Sequence, residues 1–97
     1  GNDISPDGKT IVFSGVKNYY EEGEKQWEVD IFTIPIKGGK PKQLTTSGKL
    51  QDRFPTWSPD GNSIAFIRPQ VKENEPVMQI YIISKEGKNL RESTDES

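Results

Sequence analysis

The chain has 97 residues, 30% apolar and 29% charged, with 13 basic against 15 acidic side chains and a net charge of −2. That length holds one small domain or a piece of one, and the balanced charge gives no electrostatic footprint for nucleic acid or an anionic membrane surface. The longest aliphatic runs, Ile64 to Ile67 and Ile80 to Ile83, are four residues long, so no membrane span is expected where about 20 are needed.

From the start of the chain, Gly1-Asn2 shows no secretion signal and is compatible with the scar of a removed leader or tag. Ser5-Pro6-Asp7-Gly8 then reads as a tight turn. Proline presets the second turn position, aspartate suits the third, and glycine takes the left-handed conformation that closes a hairpin with a bulge. Ile11 to Ser14 alternate as a strand, with apolar residues on both faces and hence covered on both sides. Gly15 to Glu28 reads as a loop in which Tyr19, Tyr20 and Trp27 stand among Glu21, Glu22, Glu24 and Glu28. Aromatics beside charge suit a recognition loop; the alternative is a solvated hairpin whose Trp27 covers the sheet edge. Ile31 to Ile36 predict a further strand, with Pro35 marking a bulge, and Gly38-Gly39 a turn. Gly38-Gly39-Lys40 is followed by Pro41 and lacks the spacing of a phosphate-cradling loop. Lys42 to Thr45 form a weaker, polar strand.

The pattern then returns. Ile4 to Ser14 reappear 53 positions later as Trp57 to Ile67, with six of eleven residues identical, including a second turn, Ser58-Pro59-Asp60-Gly61. Asp30 to Thr45 reappear 49 positions later as Gln79 to Thr94. The difference of four residues is an insertion in the first repeat, placed in its loop. The second repeat carries the equivalent loop at Pro69 to Val77, a third strand at Ile80 to Ile83, and a polar strand near Leu90 to Ser93. Pro55 falls at the start of an inner strand, where a missing donor costs least. No window shows helical apolar spacing. Repeat one therefore takes 1–49 and repeat two 50–94, followed by a tail, 95–97; the polar end from Arg91 to Ser97 is expected to fray. Each repeat is a four-stranded antiparallel meander, and the fold class is all-β, two blades that are a fragment of, or building block for, a closed propeller.

The chemistry available is narrow. Cysteine and histidine are both absent, which removes disulfides, zinc–thiolate sites, the usual general base, and the Ser-His and Cys-His nucleophile pairs. No cofactor, metal or catalytic residue is expected. Asp7, Asp52 and Asp60 lack the spacing of a calcium loop and are assigned to bonding backbone amides of turns.

Asp52, Pro55, Trp57, Ser58, Pro59, Asp60, Gly61, Ile64 and Phe66 resemble, position by position, the core of the TolB-like, WD-related β-propeller repeat. Asp30, Ile31, Phe32, Gly38, Gly39, Leu44 and Thr45 look like the third strand and turn of that family in the first repeat, as do Ile80, Tyr81 and Gly87 in the second. Two positions depart from the pattern: Ile4 stands in the place of Trp57, and Ser93 in the place of Leu44. The resemblance implies a bacterial, periplasmic or cell-envelope propeller that binds a protein or envelope component. Similar repeats also lie beside serine peptidase and polysaccharide lyase units, so an accessory segment of such an enzyme, and a carbohydrate-binding module, are the alternatives. Propellers close with about 4 to 8 blades, whereas this chain supplies two. The free chain is therefore expected to self-associate or to meet the remaining blades of a longer parent.

Overall fold

A computed structural model describes residues 2–93. They form eight strands in two antiparallel sheets. β1 (Asn2–Ile4), β2 (Thr10–Glu21), β3 (Glu24–Pro35) and β4 (Lys42–Gln43) make the first sheet; β5 (Arg53–Trp57), β6 (Ser63–Lys72), β7 (Glu75–Ser84) and β8 (Arg91–Glu92) make the second. Strand order follows chain order in both, the simple meander that short turns allow. The fold is all-β, two four-stranded sheets in the manner of propeller blades.

The two Ser-Pro-Asp-Gly turns are built alike. Ser5 Oγ donates to Asp7 Oδ1 at 2.6 Å and accepts from the Thr10 amide at 3.0 Å, while Asp7 Oδ1 accepts from the Lys9 amide at 2.9 Å. Ser58, Asp60, Asn62 and Ser63 repeat this at 2.6, 3.0 and 2.9 Å. Gly8 and Gly61 take φ of 73° and 74°, the left-handed region that a Cβ penalises by about 1–2 kcal/mol. Each aspartate is held below its ordinary pKa, by the serine hydroxyl first and the backbone amide second.

Both long loops of the sequence reading are corrected to strand. Gly15 to Glu28 is a continuous hairpin whose register runs from Thr10 opposite Pro35 to Glu21 opposite Glu24. Pro69 to Val77 is likewise the end of the β6–β7 hairpin. The turns are only Glu22-Gly23 and Glu73-Asn74, at positive φ. The four-residue insertion lengthens both arms of the first hairpin, 12 residues each against 10 in the second. Polar, charged tips resembled loop because nothing packs on them and no apolar alternation is needed there. Pro35 marks no bulge; it is the last residue of β3, in register with Thr10. The irregularity lies in β5, between Arg53 and Thr56, around the buried Pro55. Arg91 and Glu92 pair with Ile82 and Tyr81 rather than fraying; the rest of the predicted tail, 95–97, lies outside the described residues.

The core lies between the sheets. Val12, Ile31 and Leu44 of the first sheet and Ile64, Phe66 and Ile83 of the second are buried together, with Trp57 and Tyr81 packed against them. The apolar core fills this inward face, while on the opposite face of the first sheet Glu28 and Asp30 are buried too, Asp30 accepting from the Ser47 amide. The expectation of strands covered on both sides is corrected: Ile80, on the outward face of the second sheet, is 48% exposed.

Candidate functional site

The predicted aromatic loop does not form one site. Asn18 pairs with Trp27 and Tyr20 with Lys25, whereas Tyr19 pairs with Gln26. Since side chains alternate along a strand, Trp27 and Tyr20 share one face of the hairpin and Tyr19 lies on the other. Trp27 is 54% and Tyr20 75% exposed. The outer end of the hairpin is tied by Lys49 Nζ to Glu21 Oε2 at 2.9 Å, an exposed pair.

At the opposite end of the sheets the two tight turns border a groove of about 430 Å³, lined by Ser5, Asp7, Trp57, Asp60 and Lys85. Oδ1 of Asp7 and of Asp60 is bonded within its own turn, so the groove brings two structural turns together. Within the turns the Gly8 amide donates to the Ser5 carbonyl at 2.8 Å and the Gly61 amide to the Ser58 carbonyl at 2.9 Å.

Asp52 does something else, and here the sequence reading is corrected. Its fully buried carboxylate accepts from Arg68 Nε at 2.7 Å and Nη2 at 3.0 Å, and from Thr45 Oγ1 at 2.7 Å. Thr45 Oγ1 in turn accepts from the Ile31 amide at 3.0 Å. The guanidinium lies 4.9 Å from the Tyr81 ring centroid and 5.6 Å from that of Phe66, so it is satisfied by charge, hydrogen bonds and ring faces together. Its pKa is raised further, chiefly by the Asp52 bond. This chain of bonds runs from β6 through the linker to β3 and fastens sheet to sheet. Arg68 escaped the sequence reading because nothing in an Asp and an Arg sixteen positions apart marks them as partners.

A pair of buried carboxylates lies on β3. Asp30 accepts from the Ser47 amide at 2.7 Å and Gln43 Nε2 at 3.1 Å. Glu28, two residues earlier on the same face, is buried, and its Oε2 has no hydrogen-bond partner. Its pKa is raised by its interaction with Asp30 and by desolvation. Among the described residues no group of three or more Asp, Glu, His or Cys side chains could hold a metal ion.

The most extensive feature free to meet a partner is apolar. The outward face of the second sheet carries Phe54, Ala65, Ile67, Met78, Ile80 and Ile82, with Phe54 and Met78 each 62% exposed. Phe54, Thr56, Ala65, Ile67 and Ile80 border a shallow groove of about 180 Å³. Phe54 has φ of 56°, uncommon for a bulky residue, and its ring stands at this groove. The outward face of the first sheet carries Ile4, Ile11, Phe13, Phe32 and Ile34, with Phe13 and Phe32 stacked at 5.6 Å. Further along the same face of the first sheet stand Asp30 and Glu28.

No family model matches the chain. Over 91 residues it is 31% identical to the uncharacterized peptidase YuxL of Bacillus subtilis (strain 168), a stretch that takes in 94% of this chain and 13% of that protein.

Proposed function

We propose that this chain is a non-catalytic pair of propeller blades that serves a peptidase as an accessory, substrate-admitting or partner-binding segment. The observation that carries the reading is the match of 94% of the chain to a 13% stretch of a protein described as a peptidase. The residues agree with it. The chain lacks histidine, the usual general base of a nucleophile pair, and its buried Asp52 and Asp30 carboxylates are engaged in fastening strands. Its free surfaces are apolar sheet faces suited to contact. With the TolB-like resemblance goes a periplasmic or cell-envelope location, which fractionation of cells carrying a tagged copy tests.

The experiment has two arms. The chain alone, incubated with chromogenic peptide and ester substrates, is expected to show no turnover above buffer. The reading frame around it is expected to encode further sheets and a unit with a nucleophile and histidine. Turnover by the chain alone would overturn the non-catalytic assignment. A frame containing sheets but no catalytic unit would overturn the peptidase assignment in favour of a free-standing binding propeller.

A further inference from the structure

At the end where the tight turns lie, the seam between the two sheets opens into a second groove, of about 410 Å³, beside the one those turns border. Thr10, Thr33, Trp57, Lys40, Lys42 and Lys85 line it. Both walls belong to this chain: β2, β3 and β4 on one side, β5 and the turn after β7 on the other. The site therefore does not depend on residues beyond either end. Thr33 pairs with Val12 of β2 and with Lys42 of β4, and Thr10 stands two residues before Val12. Alternation puts both hydroxyls and the Lys42 side chain on the face turned toward the second sheet.

Two features of this groove find no answer inside the chain. Thr33 is 7% exposed, yet its hydroxyl enters no hydrogen bond among the described residues, whereas the hydroxyl of the similarly buried Thr45 makes two. A buried hydroxyl left unpaired has lost its water, and a ligand can return what was lost. Lys40, Lys42 and Lys85 gather three positive charges around one opening, in a chain whose net charge is −2. None of the three is in an ion pair among the described residues, where the pairs formed are Lys49–Glu21, Arg68–Asp52 and Lys72–Glu92. Glu86, also at the opening, offsets one of these charges. Ammonium groups above hydroxyls present donors from two sides, an arrangement that fits an oxyanion.

The adjoining groove has the opposite character. It shares Thr10, Trp57 and Lys85 with the first and continues to Asp7 and Asp60. The turn bonds of both aspartates use Oδ1, so Oδ2 of each remains to accept from a ligand. We propose that the seam binds the C-terminal end of a peptide. The terminal carboxylate lies over the Thr33 and Thr10 hydroxyls among Lys40, Lys42 and Lys85, the last side chain rests on Trp57, and N–H groups further back reach Asp7 or Asp60. A bare phosphate would use the lysine half alone; a donor-rich half joined to an acceptor-rich half selects a molecule that carries both an anion and N–H groups. The two volumes, about 410 and 430 Å³, fall in the range of about 300–1,000 Å³ that holds small ligands.

Trp27→Phe leaves Trp57 as the chain's one tryptophan, so the fluorescence of that variant reports the groove. Titration with the tripeptide Ala-Leu-Ala is expected to shift the emission and to saturate at millimolar concentration or below. The C-terminal amide of the same peptide, which lacks the charge, is expected to bind about tenfold more weakly, the worth of one charged hydrogen bond. In this background Lys42→Gln is expected to weaken the free acid by a similar factor and the amide little. Thr33→Val, which keeps the shape and removes the hydroxyl, is expected to weaken the acid several-fold. Lys49→Gln removes a positive charge at the far end of the first hairpin and is expected to change nothing; urea midpoints check that each variant stays folded. No saturable change up to about 10 mM peptide, equal binding of acid and amide, a Lys42→Gln chain that binds like Lys49→Gln, or inorganic phosphate binding as tightly as the tripeptide would each overturn the assignment. None of these results touches the peptidase reading, which is decided by the reading frame and by turnover.

Discussion

The Asp3 carboxylate bonds the backbone of Trp57, 54 positions away in the chain, at 2.9 Å, and also accepts from Thr56 Oγ1 at 3.2 Å. A three-residue strand at the edge of the first sheet thus holds the edge strand β5 of the second. Trp57 returns the bond through its indole nitrogen to the Asp3 carbonyl, so the pair is fastened in both directions. Asp3→Ala strips the Trp57 amide of its charged acceptor and is expected to cost about 1.5–3 kcal/mol, read as a lower urea midpoint. Asp3→Asn keeps an acceptor and is expected to lose less.

The Asp52–Arg68 pair is expected to respond asymmetrically. Asp52→Ala leaves a guanidinium between the sheets without its partner and should cost about 3–5 kcal/mol. Replacing both, as D52A/R68M, removes the stranded charge and is expected to recover much of that loss, because the desolvation of two ions offsets most of what their attraction contributes. Urea unfolding of the single and double variants gives the comparison. A double variant no more stable than Asp52→Ala would mean that the Thr45 and Ile31 bonds, rather than the ion pair, hold the sheets together.

The strands, their order and the paired turns were legible because each rests on local chemistry: the Ser-Pro-Asp-Gly turn encodes its own hydrogen bonds, and alternation marks Ile11 to Phe13 and Ile64 to Phe66. The hairpin arms from Gly15 to Glu28 were not, since strand there is imposed by pairing with the opposite arm and not by apolar residues. Face assignment was half legible. Sequence shows that both faces are apolar, but which one is buried depends on how the sheets stack. The roles of Asp52 and Arg68 are set by that same stacking, which brings together residues with no periodic relation. The candidate site suffered most: Tyr19 and Tyr20 are adjacent in sequence and for that reason lie on opposite faces of a strand.

Phe66 and Phe13 occupy the same place in the repeat and are expected to differ in energetic weight. Phe66 is buried in the joint between the sheets, so Phe66→Ala should cost about 3–5 kcal/mol. Phe13 stacks on Phe32 on an outward face and is only partly covered. Phe13→Ala is therefore expected to cost less than half as much. Equal losses, measured by denaturant unfolding at low micromolar concentration, would show that the outward face is as well covered as the inner one.

Glu28 is expected to make stability fall as the pH rises. Its carboxyl pKa is raised by its interaction with Asp30, by burial, and by the charge of Asp30, against smaller opposing pulls from Lys17 and the Gly48 backbone. Below its ordinary pKa, the folded and unfolded chains both carry the proton and Glu28 imposes no penalty. As the pH rises, the unfolded chain releases the proton first, so stability falls until the pH has passed the raised folded value. Asp7 and Asp60 act in the opposite sense: their lowered values give stability that is lost only as the pH falls through the folded pKa, below the ordinary carboxylate range. Glu28→Gln keeps the shape, offers Asp30 a permanent donor and removes the titration. Relative to wild type, its urea midpoint is expected to be little changed below about pH 4, an ordinary carboxylate value, and progressively higher toward pH 7, the aspartate contributions cancelling in the difference. A difference constant from pH 4 to pH 8 would mean that Glu28 releases its proton alike in the folded and unfolded chains, so that burial beside Asp30 does not raise its pKa.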